Sequence, residues 1–149
     1  MLLMRASASM PIVSRPVKVK GRELLDGGIA DPIPFDFMLS RNVDRTLVIL
    51  TQSYDYVKGK ESLLPIFKLL YRGRRKGISS AMAIRHDVYN SETERLKALE
   101  KEGKVYVLRP EKPLEVGKTE KDPERLQAVY DEGRRLALAK LDEIVGYLS

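Results

Sequence analysis

The chain has 149 residues, with 27 Lys and Arg against 21 Asp and Glu, a net charge of +6 and a pI near 9.5. That length allows one domain with its own core. The absence of cysteine excludes a disulfide framework and thiolate metal sites, one histidine (His86) cannot build a histidine cluster, and apolar runs such as Leu47 to Leu50 fall far short of a membrane span.

At the N-terminus, Met1-Leu2-Leu3-Met4 followed by Ala6-Ser7-Ala8 mimics a cleavage site. The apolar stretch is too short and has no basic leader, so we expect no signal peptide and a cytoplasmic chain, at most peripheral to a membrane. Val17 to Leu25 reads as a short hairpin whose second strand is Arg22 to Leu25. Asp26-Gly27-Gly28-Ile29-Ala30-Asp31-Pro32-Ile33-Pro34 follows it directly. An acid at a strand end, flanked by two glycines, suits placement beside a nucleophile, because glycine tolerates positive φ and lets another backbone approach. The prolines fix the chain's exit and end strand pairing. Asp-Gly-Gly by itself is also ordinary turn chemistry.

Phe35 to Ser40 predicts a short helix, Arg41-Asn42-Val43-Asp44 a turn, and Thr46 to Thr51 a strand buried on both faces of a parallel sheet. Strand, helix, strand is an α/β signature. Leu63 to Tyr71 reads as an amphipathic helix with Pro65 in its first turn. Ser91-Glu92-Thr93-Glu94 reads as a capping box for a helix stopped by Gly103, or as the interior of a longer helix beginning near Ser79. Lys104 to Arg109 predicts a strand and Glu111 to Lys121 a loop. Asp122 and Pro123 open a long last helix, whose apolar face runs from Leu126 to Leu148 and is expected to pack on the core.

Beyond this local reading, Arg5-Ala6-Ser7-Ala8-Ser9-Met10-Pro11-Ile12-Val13, the hairpin, Asp26-Gly27-Gly28 and Asp31-Pro32-Ile33-Pro34 together resemble the end of the catalytic domain of patatin-like phospholipases. The resemblance covers residues 5–53. It continues more loosely through Ala83 to Asn90 and Lys104 to Pro113, which look like the tail of a bacterial branch of the family. It implies the C-terminal portion of a three-layer α/β/α fold ending in a long amphipathic helix. Residues 1–53 would belong to the catalytic domain and 54–149 to a family-specific C-terminal region. It also implies a Ser–Asp dyad with Asp26 as the aspartate, supported by Gly27 and Gly28, acting on lipid esters without metal or cofactor. Ser7, Ser9 and Asp31 are expected to be structural.

A serine acyl hydrolase also needs Gly-x-Ser-x-Gly on a strand-to-helix turn and backbone donors for the oxyanion. The nearest match, Gly77-Ile78-Ser79-Ser80-Ala81, follows Tyr71-Arg72-Gly73-Arg74-Arg75-Lys76 rather than an apolar strand. It reads as a helix start with serines capping N–H groups. In the family both missing parts lie N-terminal to Asp-Gly-Gly. The expectation is therefore a fragment, from truncation, a split gene or an isolated domain, partnered by the N-terminal half of the catalytic domain and inactive alone. His86, in Arg85-His86-Asp87, is expected at a helix surface or cap. The alternative is a non-catalytic basic module, binding anionic lipid or nucleic acid through Arg72, Arg74, Arg75 and Lys76. A solvated loop is the default reading of so short a basic run, with an anionic membrane surface as the partner open to it. The lone nearby aromatic, Tyr71, gives no stacking pattern for nucleic acid, and none is expected.

Overall fold

A computed structural model describes residues 1–73, 76–117 and 120–149. The chain is a mixed α/β protein that divides into two compact units, interleaved in sequence. Unit 1 holds residues 1–34 and 58–94, and unit 2 holds residues 35–57 and 95–149.

In unit 1, α1 (Leu2–Ser7) leads to the antiparallel hairpin of β1 (Val17–Val19) and β2 (Arg22–Leu24). Lys20 and Gly21 both have positive φ, +47° and +76°, as a two-residue turn matched to strand twist requires. After the Asp-Gly-Gly turn come α3 (Leu64–Leu70) and the first part of α4 (Lys76–Lys101), with α2 (Phe35–Leu39) assigned to the other unit. Phe67 and Tyr71 of the α3 region stack at 6.2 Å and bury against Met82 of α4, with Ile29, Leu64 and Ile78 around them. The Tyr71 hydroxyl accepts the N–H of Ile12 at 3.3 Å. Ile12 has φ +71°, a conformation costing a β-branched residue roughly 1–2 kcal/mol.

The capping-box reading of Ser91 to Glu94 gives way to the longer helix. Nothing between Gly77 and Gly103 is a Gly or Pro, so no breaker opposes continuous winding, and α4 runs 26 residues. Thr93 bonds back to the Asn90 carbonyl at 2.9 Å, and Glu92 reaches away to the N–H of Ile33 at 3.0 Å. Gly103 (φ +69°) ends the helix as expected, and Lys104 donates to the Leu99 carbonyl at 2.9 Å.

In unit 2, α2 (Phe35–Leu39) precedes β3 (Leu47–Ile49), which pairs in parallel with β4 (Tyr106–Leu108). Expected burial on both faces of this strand fails. Val48 is buried but Ile49 is 68% exposed, because β4 is the only strand bonded to β3 among the described residues. The last helical region is α5 (Pro123–Ala139) followed by α6 (Leu141–Leu148), divided where Lys140 leaves helical geometry at φ −104°, ψ 6°. Asp122 caps α5 as expected, accepting the Glu124 N–H at 3.0 Å.

Core packing holds for α6 and not for α5. Ile144 is buried. Tyr147 closes the start of the parallel pair, its hydroxyl donating to the Lys104 carbonyl at 3.0 Å and accepting the Thr46 N–H at 3.3 Å. No residue of α5 is buried, and Leu126 and Tyr130 stand exposed. The loop at Lys112 to Val116 lies beside Arg125, Ala128, Val129 and Glu132 across an open cleft that leaves the helix uncovered.

This difference predicts opposite mutational costs. Leu96, fully buried in α4, should lose about 2–5 kcal/mol on replacement by Ala. Leu126→Ala should stay within about 0.5 kcal/mol. Urea unfolding of the two variants checks this, and equal losses would mean that α5 is packed after all.

Candidate functional site around Asp26

Asp26 sits two residues beyond β2 and starts a 3-10 turn, Gly27–Ile29. Its N–H donates to the Ser9 carbonyl at 3.0 Å, which fixes the backbone from the N-terminal side. Its carboxylate folds back, Oδ1 accepting the Gly28 N–H at 2.8 Å. This is an N-cap on a very short helix, so one oxygen is oriented by the turn itself. Oδ2 has no protein partner among the described residues, and the side chain is half-buried.

The glycines act differently from expectation. Neither Gly27 nor Gly28 has positive φ. At Gly28 a Cβ would stand 3.2 Å from Asp26 Oδ1 and 3.5 Å from an Arg85 guanidinium nitrogen, so the missing side chain makes room for the folded-back carboxylate. A Cβ at Gly27 would meet nothing within 4 Å, leaving open space beside the aspartate.

Two α4 side chains complete the frame, and neither was singled out from sequence. Arg85 Nε donates to the Gly28 carbonyl at 2.5 Å, and Glu92 holds Ile33 at the far end of the loop. The only local signal was that Arg85 falls within the stretch Ala83 to Asn90. Its partner lies 57 residues away.

Ser9 is structural as expected: it is 4% exposed and its hydroxyl donates to the Arg5 carbonyl at 2.7 Å. Ser7 ends α1, and Asp31 is an exposed turn residue whose N–H bonds the Gly27 carbonyl at 3.0 Å. Ser79 lies inside the first turn of α4, a helix start as expected, and among the described residues α3 is the element that precedes it. Its hydroxyl and that of Ser80 donate to the Lys76 carbonyl at 2.8 and 3.2 Å, rather than capping N–H groups. His86 is less exposed than expected. Its side chain is 13% accessible, Nε2 lies 3.3 Å from Asp87 Oδ1, and buried Nδ1 has no hydrogen-bond partner among the described residues. It lies seven helical positions beyond Ser79, about 10 Å along the axis, so these two cannot form a catalytic pair. Arg72 and Lys76 are exposed, while Arg74 and Arg75 lie outside the described residues.

Unit 2 has a cleft of about 580 Å³ lined by Tyr54, Glu100, Arg109, Lys140, Glu143 and Tyr147 among others. Its charges satisfy one another. Arg109 pairs with Glu100 and lies under the Tyr54 ring, while Glu143 accepts from Lys140 at 2.8 Å and from Tyr106 at 3.0 Å. Those bonds, first from Lys140 and then from Tyr106, hold the Glu143 carboxyl below its usual range. Burial and the Glu143 contact raise the Tyr106 hydroxyl. Both carboxylates of this cleft, Glu100 and Glu143, are thus engaged by neighbouring donors.

The cap geometry gives a stability test. Asp26→Ala should cost about 1 kcal/mol, the usual loss of an N-cap. Asp26→Asn should stay within about 0.5 kcal/mol, because an amide oxygen can still accept from Gly28. Chemical denaturation separates them, and an equal loss for both would show that the charge, not the cap, holds the turn.

Comparison with known families matches two stretches. The patatin-like phospholipase family model matches residues 1–39, a stretch containing Asp26-Gly27-Gly28 and the whole hairpin. A domain of unknown function, DUF6363, matches residues 76–149, from the start of α4 to the C-terminus. No curated protein matches the chain. The first match supports a patatin-like link over the N-terminal stretch and, at a coarse level, lipid hydrolase chemistry. It does not reach the C-terminal region.

Proposed function

We propose that this chain carries the aspartate of a patatin-like Ser–Asp dyad, and that the serine and oxyanion donors come from a segment outside this sequence. The observation that supports this most is Asp26 itself. It falls within the patatin-like match, at a strand exit, with Oδ1 tied to Gly28 and Oδ2 without a protein partner among the described residues. No Gly-x-Ser-x-Gly occurs in the sequence, and its nearest approximation is helical.

In the joined enzyme the serine hydroxyl attacks the ester carbonyl of a lipid while Asp26 accepts its proton. The tetrahedral intermediate collapses, and the departing alcohol takes that proton from Asp26. Asp26 next removes a proton from water, hydroxide attacks the acyl-serine, and the returned proton restores the serine as the fatty acid leaves. Each proton is accounted for by a single carboxylate. The tie from Gly28 holds one oxygen in register, so the other need not search for the serine.

Four outcomes test this reading. The chain by itself should not hydrolyse p-nitrophenyl esters above a buffer control, and turnover lost on Ser79→Ala would overturn that. When combined with the serine-bearing half of a patatin-like relative, it should restore lipid ester hydrolysis. Asp26→Asn should then lower the rate by ~10²–10⁴, the range of general-base catalysis. His86→Ala should leave the rate near that of the parent. An active Asp26→Asn with an inactive His86→Ala would assign the chemistry to a histidine-based design.

A further inference from the structure

Charge is distributed unevenly along this chain. Residues 62–86 contain Lys68, Arg72, Arg74, Arg75, Lys76 and Arg85 and not one Asp or Glu. Removing those six cations from the total of 27 leaves 21, which the 21 Asp and Glu cancel. The whole net charge of +6 therefore resides in this one segment of unit 1.

Of the 21 cations elsewhere, at least six are ion-paired among the described residues, all six in unit 2. Arg95 pairs with Asp36, Lys104 with Glu102, Arg109 with Glu100, Arg125 with Glu120, Arg135 with Glu132 and Lys140 with Glu143. Lys68, Arg72 and Lys76 are exposed and join no ion pair among the described residues.

The same segment carries α3, which is apolar on both sides. Phe67 and Tyr71 point to the core. On the face turned away from them, Ile66, Leu69 and Leu70 are 44%, 58% and 58% exposed, with Leu63 at 45% just before the helix. Aliphatic side chains left in water beside unpaired cations form the pattern of a helix that lies in a bilayer interface. The side chains enter the acyl boundary and the cations meet anionic headgroups, each adding about 1 kcal/mol near such a surface.

We propose that the exposed face of α3, with Lys68, Arg72 and Lys76, forms a docking surface for an anionic membrane. Nucleic acid would answer the charge but give three exposed aliphatic residues nothing to pack on. A second copy would bring six more cations against these six. The proposal does not depend on Asp26 or on any catalysis, and its test reads neither.

The test is sedimentation of the full chain with phosphatidylcholine vesicles, with and without phosphatidylserine. Binding should require phosphatidylserine, persist at physiological salt and weaken as salt rises. Replacing Lys68, Arg72 and Lys76 by Gln should weaken binding about a hundredfold, at about fivefold per cation. Replacing Ile66, Leu69 and Leu70 by Ser should weaken it at least about tenfold and keep the salt dependence. All six side chains are exposed, so far-ultraviolet circular dichroism should match the parent. Because the chain has no Trp, Leu69→Trp supplies a single reporter whose emission should shift to the blue on phosphatidylserine vesicles. Equal binding to phosphatidylcholine alone, no sedimentation at physiological salt, an unshifted Leu69→Trp, or tighter binding to a single-stranded oligonucleotide would each overturn the proposal.

Discussion

Two side chains on α4 grip the loop that carries the Asp-Gly-Gly turn, one at each end. Arg85 takes the Gly28 carbonyl and Glu92 takes the Ile33 N–H, at 2.5 and 3.0 Å. Residues seven apart share a helix face, so the loop from Gly28 to Ile33 is laid along about 10 Å of one rigid rod. Both bonds join a charged group to a backbone group, and such bonds are stronger than neutral ones. The aspartate is thereby placed by a helix more than fifty residues away as well as by its own turn. Inside the turn, the Gly28 N–H orients the carboxylate, and the Ser9 carbonyl fixes the strand exit.

The two family matches meet at this clamp. Asp26 and the loop to Ile33 fall in the patatin-like stretch, while Arg85 and Glu92 fall in the stretch matching DUF6363. Whatever else the second stretch does, its first helix positions the turn of the first. That dependence runs within unit 1, which contains all four elements of the arrangement.

What the sequence disclosed was local. The hairpin, the Asp122 cap, the Gly103 stop and the Asp-Gly-Gly turn each rest on residues within seven positions of one another, and each stands where the pattern placed it. What it concealed depends on distant partners. Ser91 to Glu94 has the letters of a capping box, but a cap forms only where a helix must begin, and nothing upstream ends α4. The apolar run of β3 suggested two covered faces, yet coverage is a property of neighbours, and Ile49 has none over it. The periodicity of α5 was read correctly as helical and wrongly as core-packing, for the same reason. The glycines were read as allowing positive φ or the close approach of another backbone; neither Gly27 nor Gly28 has positive φ, and what approaches Gly28 is the Asp26 carboxylate. The family resemblance located Asp26 without saying what holds it.

The parallel pairing of β3 with β4 has a consequence for the order in which the chain assembles. Parallel strands need a crossover, and here the crossover runs from residue 50 to residue 105, taking in α3 and all of α4. The pair cannot close until that long segment has compacted, and loop-closure entropy must be met before any strand bond forms. During synthesis from the N-terminus, β3 emerges early and stays unpaired until Leu108 has been made. Over that interval Leu47, Val48 and Ile49 form a bare apolar edge, the kind of segment most open to pairing with another chain. The hairpin of β1 and β2 carries no such delay. Unit 1 can mature while unit 2 waits, and the kinetic weak point of the molecule lies in three residues of unit 2, whereas its candidate chemistry belongs to unit 1.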